Sequence, residues 1–258
     1  MNRTNFTASE RLVLAVDTSG KATSLAIARG AELLKSLSAP ADEKRSERLW
    51  SDVQSLLTGL GLTIADVDAF AVCVGPGGFT GLRVGMAAAR GFAVAQNKPI
   101  VGVTSLEAAA FASGSAPHVC AMVNAYKNEV YSQLFSTGSC LTGRLPAALN
   151  NPLVSTFERA LDRVEDLKEL IFTGDGTEAG TEIILSRSRM LDNAKWVIHQ
   201  SDNSGAEVIA RIAVLRYELG EPGAAENLKA CYVRPAEAEI KLSLGLLGSK
   251  IKRSMKSE

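Results

Sequence analysis

The chain has 258 residues (27.3 kDa), 46% hydrophobic and 22% charged, a composition that excludes a disordered tract or a membrane-embedded bundle and provides for a sizeable core. Lys plus Arg (28) balance Asp plus Glu (28), and the pI is near 6.8. A bare nucleic-acid binder carries a basic excess, and with aromatics at 5% stacking platforms for single strands are excluded as the main device.

After a polar arm, residues 12–16 form a compact apolar run, the pattern of a strand covered on both faces. Residues 22–28 read as a second strand, and Arg29-Gly30 as a hairpin turn into a third over 31–37. Apolar positions Leu49, Trp50, Val53, Leu56, Leu57 and Leu60 recur at spacings of three and four, predicting a helix over 42–60 that Gly59 and Gly61 stop. A strand over 69–74 leads into GPGGFTG, followed by a helix over 82–96, a strand over 99–103 and a helix over 105–113. The second half opens as the first does, with a strand over 118–123 ending in Asn124, turn residues at Lys127-Asn128, and a return strand over 129–135. LAVDTSGKATSLAIA and CAMVNAYKNEVYSQLF share one plan, with Asp17 and Asn124 in equivalent places, so an internal duplication is expected. Further on, residues 155–170 read as a helix, 170–173 as a strand into Gly174-Asp175-Gly176, a turn that reverses the chain or, as the alternative, touches a nucleotide, and 195–198 as a strand. Ser204 with Glu207 resembles a capping box for a helix to residue 219. The tail over 241–258 holds five basic residues and one acidic, read as a solvated end or as an arm that touches RNA or a partner.

The stretch Gly75–Gly85, GPGGFTGLRVG, joins a strand to a helix, where free amides and the dipole favour anions. It lacks the Lys-Ser/Thr of a P-loop and departs from GxGxxG at Thr80. A structural turn is the alternative: Gly77 and Gly78 allow positive φ, and Thr80 can cap the helix. Arg83, read as lying in the first helical turn, opposes the dipole, which favours an anion or a partner carboxylate beside it. The small residues of MAAARGFAVA allow close helix packing, inside the fold or across a subunit seam. Asp17 with Thr18 and Ser19 could hold a hydrated Mg²⁺ beside a nucleotide phosphate or start a turn. Its repeat mate, Asn124, is uncharged, so no paired carboxylates are expected.

His118 and His199 stand apart without HxxxH spacing, and no GxSxG elbow is present, so neither metal chemistry nor a peptidase follows from these residues. Cys73, Cys120, Cys140 and Cys231 form no CxxC pair and suit a reducing cytoplasm. The apolar run near the N-terminus is too short for a signal peptide or a membrane span.

LAVDTSGKATSLAIA, VGPGGFTGLRVGMAAARGFA, IVGVTSLEAAA, the NEVY hairpin, GDG and YVRP together resemble the TsaB (YeaZ) family, subunits of the bacterial machinery that makes threonylcarbamoyladenosine next to the tRNA anticodon. The match is dense over residues 12–135 and thin beyond. It implies an α/β, actin/Hsp70-like (ribonuclease-H-like) fold in two duplicated lobes, 1–115 and 116–258. It also implies a non-catalytic role, because the family's catalytic partner, TsaD, relies on two histidines four apart. Pairing with TsaD is implied through the helices over 47–60 and 82–96, with Glu47, Trp50, Gly78, Phe79, Thr80, Arg83, Met86, Ala87 and Arg90 as interface residues. The ATPase TsaE would join the assembly, tRNA would be engaged indirectly, and the chain alone would form a homodimer. No intrinsic cofactor is expected; ATP or ADP would have its place at the subunit interface, with Asp17, Thr18 and Ser19 as nucleotide candidates in this chain. Two departures stand out: Arg45-Ser46-Glu47 replaces a usual His-Ser-Glu, and Asn124-Ala125-Tyr126 a usual Asp-Ala-Arg. The alternative within the same fold is a nucleotide-dependent small-molecule kinase.

Overall fold

The computed structural model describes residues 11–40, 45–138, 144–201, 205–221 and 223–234. Cys140, Ser204 and the basic tail lie outside the described residues.

The first sheet is built from β1 (Leu12–Asp17), β2 (Ala22–Arg29), β3 (Glu32–Pro40), β4 (Ala69–Gly75) and β5 (Ile100–Thr104), in the order β3-β2-β1-β4-β5. The meander β1–β2–β3 is antiparallel, while β4 runs parallel to both β1 and β5. Successive side chains of β1 alternate between two cores, as the pleat requires. Leu12, Leu14 and Val16 face α1 (Arg45–Thr58) and α2 (Phe79–Gln96), and Val13 and Ala15 face the opposite layer. On that second face the small residues Ala15, Ala26, Ala28, Ala69 and Ala71 leave room for a helix to approach closely.

α3 (Ser105–Ala112) leads to a second sheet of β6 (Val119–Asn124), β7 (Glu129–Ser136), β8 (Ala147–Ala148), β9 (Leu153–Thr156), β10 (Glu169–Thr173) and β11 (Lys195–His199). Its order is β11-β10-β6-β7-β8, with β9 also paired to β7. Read from the other edge, this is the plan of the first sheet: a central strand, its antiparallel hairpin mate, a third antiparallel strand split into β8 and β9, and two parallel strands on the other side. The expected duplication is therefore present, and Asp17 and Asn124 each end the central strand of their sheet.

Three elements differ from expectation. Residues 155–170 do not form one helix: β9 runs to Thr156, whose hydroxyl then caps α4 (Phe157–Asp162) by accepting from the Arg159 amide. Pairing with β7 outweighs the helical pattern over those first residues. α5 (Gly176–Met190) was not legible, because its sequence GTEAGTEIILSRSRM has two glycines and few apolar positions. α2 starts at Phe79 rather than at residue 82.

α6 (Gly205–Glu218) follows the second sheet in the chain but packs on the first. Ala206, Ile209, Ala210 and Ala213 are buried against Val13, Ala26 and Ala71. Arg216 fastens it there: its guanidinium donates to both Glu107 oxygens (2.7 and 2.8 Å) and to the Gly102 carbonyl. The opposite layer of the first lobe is thus completed by residues far beyond position 116.

Candidate functional site: the interlobe cleft and the α1–α2 face

The glycine-rich junction is stapled to its surroundings. Gly75 has φ +100° and precedes a cis proline. The Gly78 amide donates to the Ser19 carbonyl at 2.8 Å, and the Ser105 hydroxyl to the Pro76 carbonyl at 2.5 Å. A Cβ on Gly77 would stand 2.7 Å from Ser19 O, so glycine here serves close approach. Of the junction's glycines, Gly75 is the one at positive φ; Gly77 and Gly78 do not use that freedom. Thr80 does not cap: Gly78 occupies the N-cap, and Thr80 is exposed on the first turn. Arg83 is the fifth residue of α2, not part of the first turn, and its guanidinium lies 3.7 Å over the Phe79 ring.

Between the lobes lies a cleft of about 430 Å³ whose lining includes Asp17, Ser19, Lys21, Ser24, Asp175 and Glu178. The paired carboxylates that the repeat does not make evident are supplied here by strand order. Because β10 runs parallel beside β6, the turn after β10 sits next to the end of β6, and Asp175 enters the cleft with Asp17. Asp175 Oδ1 accepts from the Asn124 amide at 3.0 Å. Burial pushes its carboxyl above the usual range, against the Asn124 amide and Lys21, which pull it down. Asp17 Oδ1 accepts from both the amide and the hydroxyl of Ser19 (2.9 and 2.7 Å), and a Cβ on Gly205 would overlap Asp17 Oδ2. Asp17 therefore abuts the first residue of α6, and Asp175 immediately precedes α5. The N-termini of α5 and α6 thus each have a carboxylate of this chain beside them. Lys21 donates to Glu178 across the cleft at 2.8 Å, and that carboxylate raises the Lys21 pKa.

Of the three nucleotide candidates, Asp17 and Ser19 line the cleft and Thr18 does not. Thr18 is buried; its hydroxyl donates to the Gly81 carbonyl at 2.6 Å, and a Cβ on Gly85 would overlap it. Its work is to seat α2 on the sheet. Cys73 lies beneath Asp17 and Ser19, and burial, reinforced by the Asp17 charge, pushes its thiol well above the usual range, away from nucleophilic use. His118 immediately precedes β6 and His199 ends β11, and β10 lies between those two strands. Among the described residues no group of three His, Cys, Asp or Glu is placed to hold a metal.

α2 uses small residues on both faces. Gly81, Gly85, Ala89 and Ala93 recur every four residues on the buried side, while Thr80, Arg83, Ala87, Gly91 and Val94 form an exposed stripe. Beside the stripe, Trp50 of α1 is 44% exposed and stacks on Phe92 (5.4 Å between centroids), and Phe79 is 41% exposed. Of the candidate interface residues, Glu47, Trp50, Phe79, Thr80, Arg83, Ala87 and Arg90 are exposed. Met86 instead packs toward the core, and Gly78 is half-buried at the helix cap. Arg90 is already engaged, donating to the carbonyls of Ala225 (2.7 Å) and Glu226 (3.1 Å). Tyr232, half-exposed and 5.6 Å from the Phe79 ring, also belongs to this face; the local pattern of YVRP gives no hint that it returns to α2. No helix among the described residues is long and apolar enough to cross a membrane.

Two lobes repeating one five-position sheet plan, with a cleft between them, define a duplicated α/β protein of the actin/Hsp70-like, ribonuclease-H-like class. The model of the family described as TsaD: tRNA N6-adenosine threonylcarbamoyltransferase matches residues 39–194. The chain is 27% identical over 237 residues to the tRNA threonylcarbamoyladenosine biosynthesis protein TsaB of Escherichia coli K12, covering 89% of this chain and 97% of that protein. It is 36% identical over 122 residues to the TsaB protein of Haemophilus influenzae, spanning 46% of this chain and only 51% of the relative. The solved structure of YeaZ from Pseudomonas aeruginosa superposes with a TM-score of 0.70 at 25% identity, covering 86% of this chain and 99% of that one. The chain belongs to this family and, within it, to the TsaB (YeaZ) branch.

Proposed function

We propose that this chain is the partner subunit in threonylcarbamoyl transfer to the tRNA adenosine beside the anticodon, acting in the cytoplasm by pairing with a TsaD-type catalytic subunit through the α1–α2 face. One observation carries the reading: the exposed stripe of α2, where Ala87 and Gly91 let a second helix approach closely, is flanked by the exposed aromatic side chains Trp50 and Phe79. Aromatic anchors beside a closely approachable backbone are what a protein partner uses. The name of the E. coli relative, matched over nearly its whole length, supports the pathway. A chain without a basic excess also suits a subunit that engages tRNA through its partner.

The cleft supports an accessory role. The N-termini of α6 and α5 at the cleft are flanked by Asp17 and Asp175, so a phosphate approaching either would meet like charge. A nucleotide would then lie at the subunit seam, and TsaE would join the assembly; a homodimer of the free chain would use the same α1–α2 face. The reading is tested by mixing the purified chain with the TsaD-type protein of its organism and measuring the mass of the eluting species by light scattering. One-to-one pairing that removes the homodimer is expected. Two independent peaks at micromolar concentration would overturn it.

A further inference from the structure

After α6 the chain crosses back over the glycine-rich junction. Gly223 bridges to Ile100 at the edge of the first sheet, and Leu228 packs on the core beneath α2. The Cys231 amide then donates to the Val74 carbonyl at 2.7 Å, at the end of β4. A Cβ on Gly75 would stand 3.1 Å from Cys231 O, so this segment lies flat against the start of GPGGFTG. One residue on, Tyr232 stacks on Phe79, whose ring also carries Arg83 on it. Two residues further, the Arg234 guanidinium pairs with the carboxylate of Glu129, the first residue of β7 in the second lobe. Both members of that pair are partly buried, a setting in which an ion pair orders the chain more than a fully exposed one does.

We propose that residues 228–234 form a strap, anchored to the second lobe by Arg234–Glu129, that sets Tyr232 on Phe79 and so builds one edge of the partner-docking face. Two anchors fix the strap, one on each lobe: the Cys231–Val74 backbone bond and the Arg234–Glu129 pair. Tyr232 lies between them, so its ring position depends on both. The exposed cluster Tyr232–Phe79–Arg83 then presents two aromatic rings and a cation as one rigid unit, the composition of an interface hot spot. Preorganisation by the strap removes the ordering cost that a loose Tyr232 would add to association. The docking half of this inference rests on the proposed pairing with the TsaD-type subunit; the anchoring half does not.

The test uses the full chain and two readouts. Maleimide labelling of Cys231, followed peptide by peptide in a mass spectrometer, reports whether the strap is seated, because the half-buried thiol packs against the core beneath it. Arg234→Gln and Glu129→Gln are each expected to raise the Cys231 labelling rate at least about fivefold and to weaken pairing with the TsaD-type protein at least about tenfold, through loss of preorganisation. The swap Arg234→Glu with Glu129→Arg should restore slow labelling, which separates anchoring from damage at either position. Unchanged labelling in both single variants overturns the strap. Faster labelling with unchanged affinity overturns its docking role while leaving the pairing intact. Failure of the unaltered chain to pair, with labelling still sensitive to Arg234, overturns the docking half and the proposed function and leaves the anchor established.

Discussion

Adjacent alanines on α2 separate partner surface from core. Ala87 is exposed, whereas Ala88, about 100° further round the helix, packs against the cluster that contains Val53, Phe70 and Ala89. A Trp at position 88 must displace close-packed neighbours, which costs about 1–3 kcal/mol. For a chain of this size that lowers Tm by about 2–12 °C. A Trp at position 87 meets only solvent in the free protein, so its effect on stability stays within about 0.5 kcal/mol. In a complex whose seam runs along α2, the same ring would hold the partner helix off the surface and cost at least about 2 kcal/mol, roughly thirtyfold in Kd. Thermal melting by circular dichroism and titration calorimetry with the TsaD-type protein read the two effects separately. Ala87→Trp should melt with the unaltered protein and fail to pair; Ala88→Trp should melt early. An Ala87→Trp variant that pairs normally would refute the placement of the seam on this face, and one that melts as early as Ala88→Trp would refute the assignment of the two faces.

Two further outcomes follow from the buried charges. Glu107 is 7% exposed and accepts two bonds from Arg216. Breaking a buried pair costs about 3–5 kcal/mol, reduced here to about 2–3 because Arg216 keeps some access to water. Glu107→Gln should therefore lower Tm by about 4–12 °C, and replacing both residues by Met should recover most of it; a single variant that melts normally contradicts the role of this pair in holding α6. Asp175 has a folded pKa above its unfolded value, so the folded state binds the extra proton, and stability from this group is present below pH ~4 and falls as pH rises through the folded pKa. Asp175→Asn should match the unaltered protein near pH 4 and gain on it towards pH 7 in denaturant titrations; a gap that narrows as pH rises contradicts the burial argument.

The architecture was legible wherever local pattern and tertiary demand agree. The run LVLAV is apolar at every position because both faces of β1 are covered, and the return strand of each hairpin is announced by turn residues. α1 declares itself through Leu49, Val53, Leu56 and Leu57 at helical spacing. The site was harder to read because its parts are brought together by strand order. Nothing near Asp17 in the sequence points to Asp175; only the parallel pairing of β10 with β6 makes them neighbours. The repeat itself misled here, since it directed attention to Asn124, whose backbone, not side chain, holds the second carboxylate. Thr18 reads as a polar residue at a strand end, yet Gly85 on α2 leaves the notch that buries it. Tyr232 and the α6 packing depend on a chain that leaves the second lobe and returns to the first, a path no local period encodes.

The most direct measurement is threonylcarbamoyl transfer to tRNA, assayed with the TsaD-type protein, its ATPase partner and the threonylcarbamoyl donor, with and without this chain. Modified tRNA formed only when the chain is present, and none formed by the chain without the TsaD-type protein, is the predicted result. Equal modification in its absence, or transfer by this chain on its own, would contradict the account.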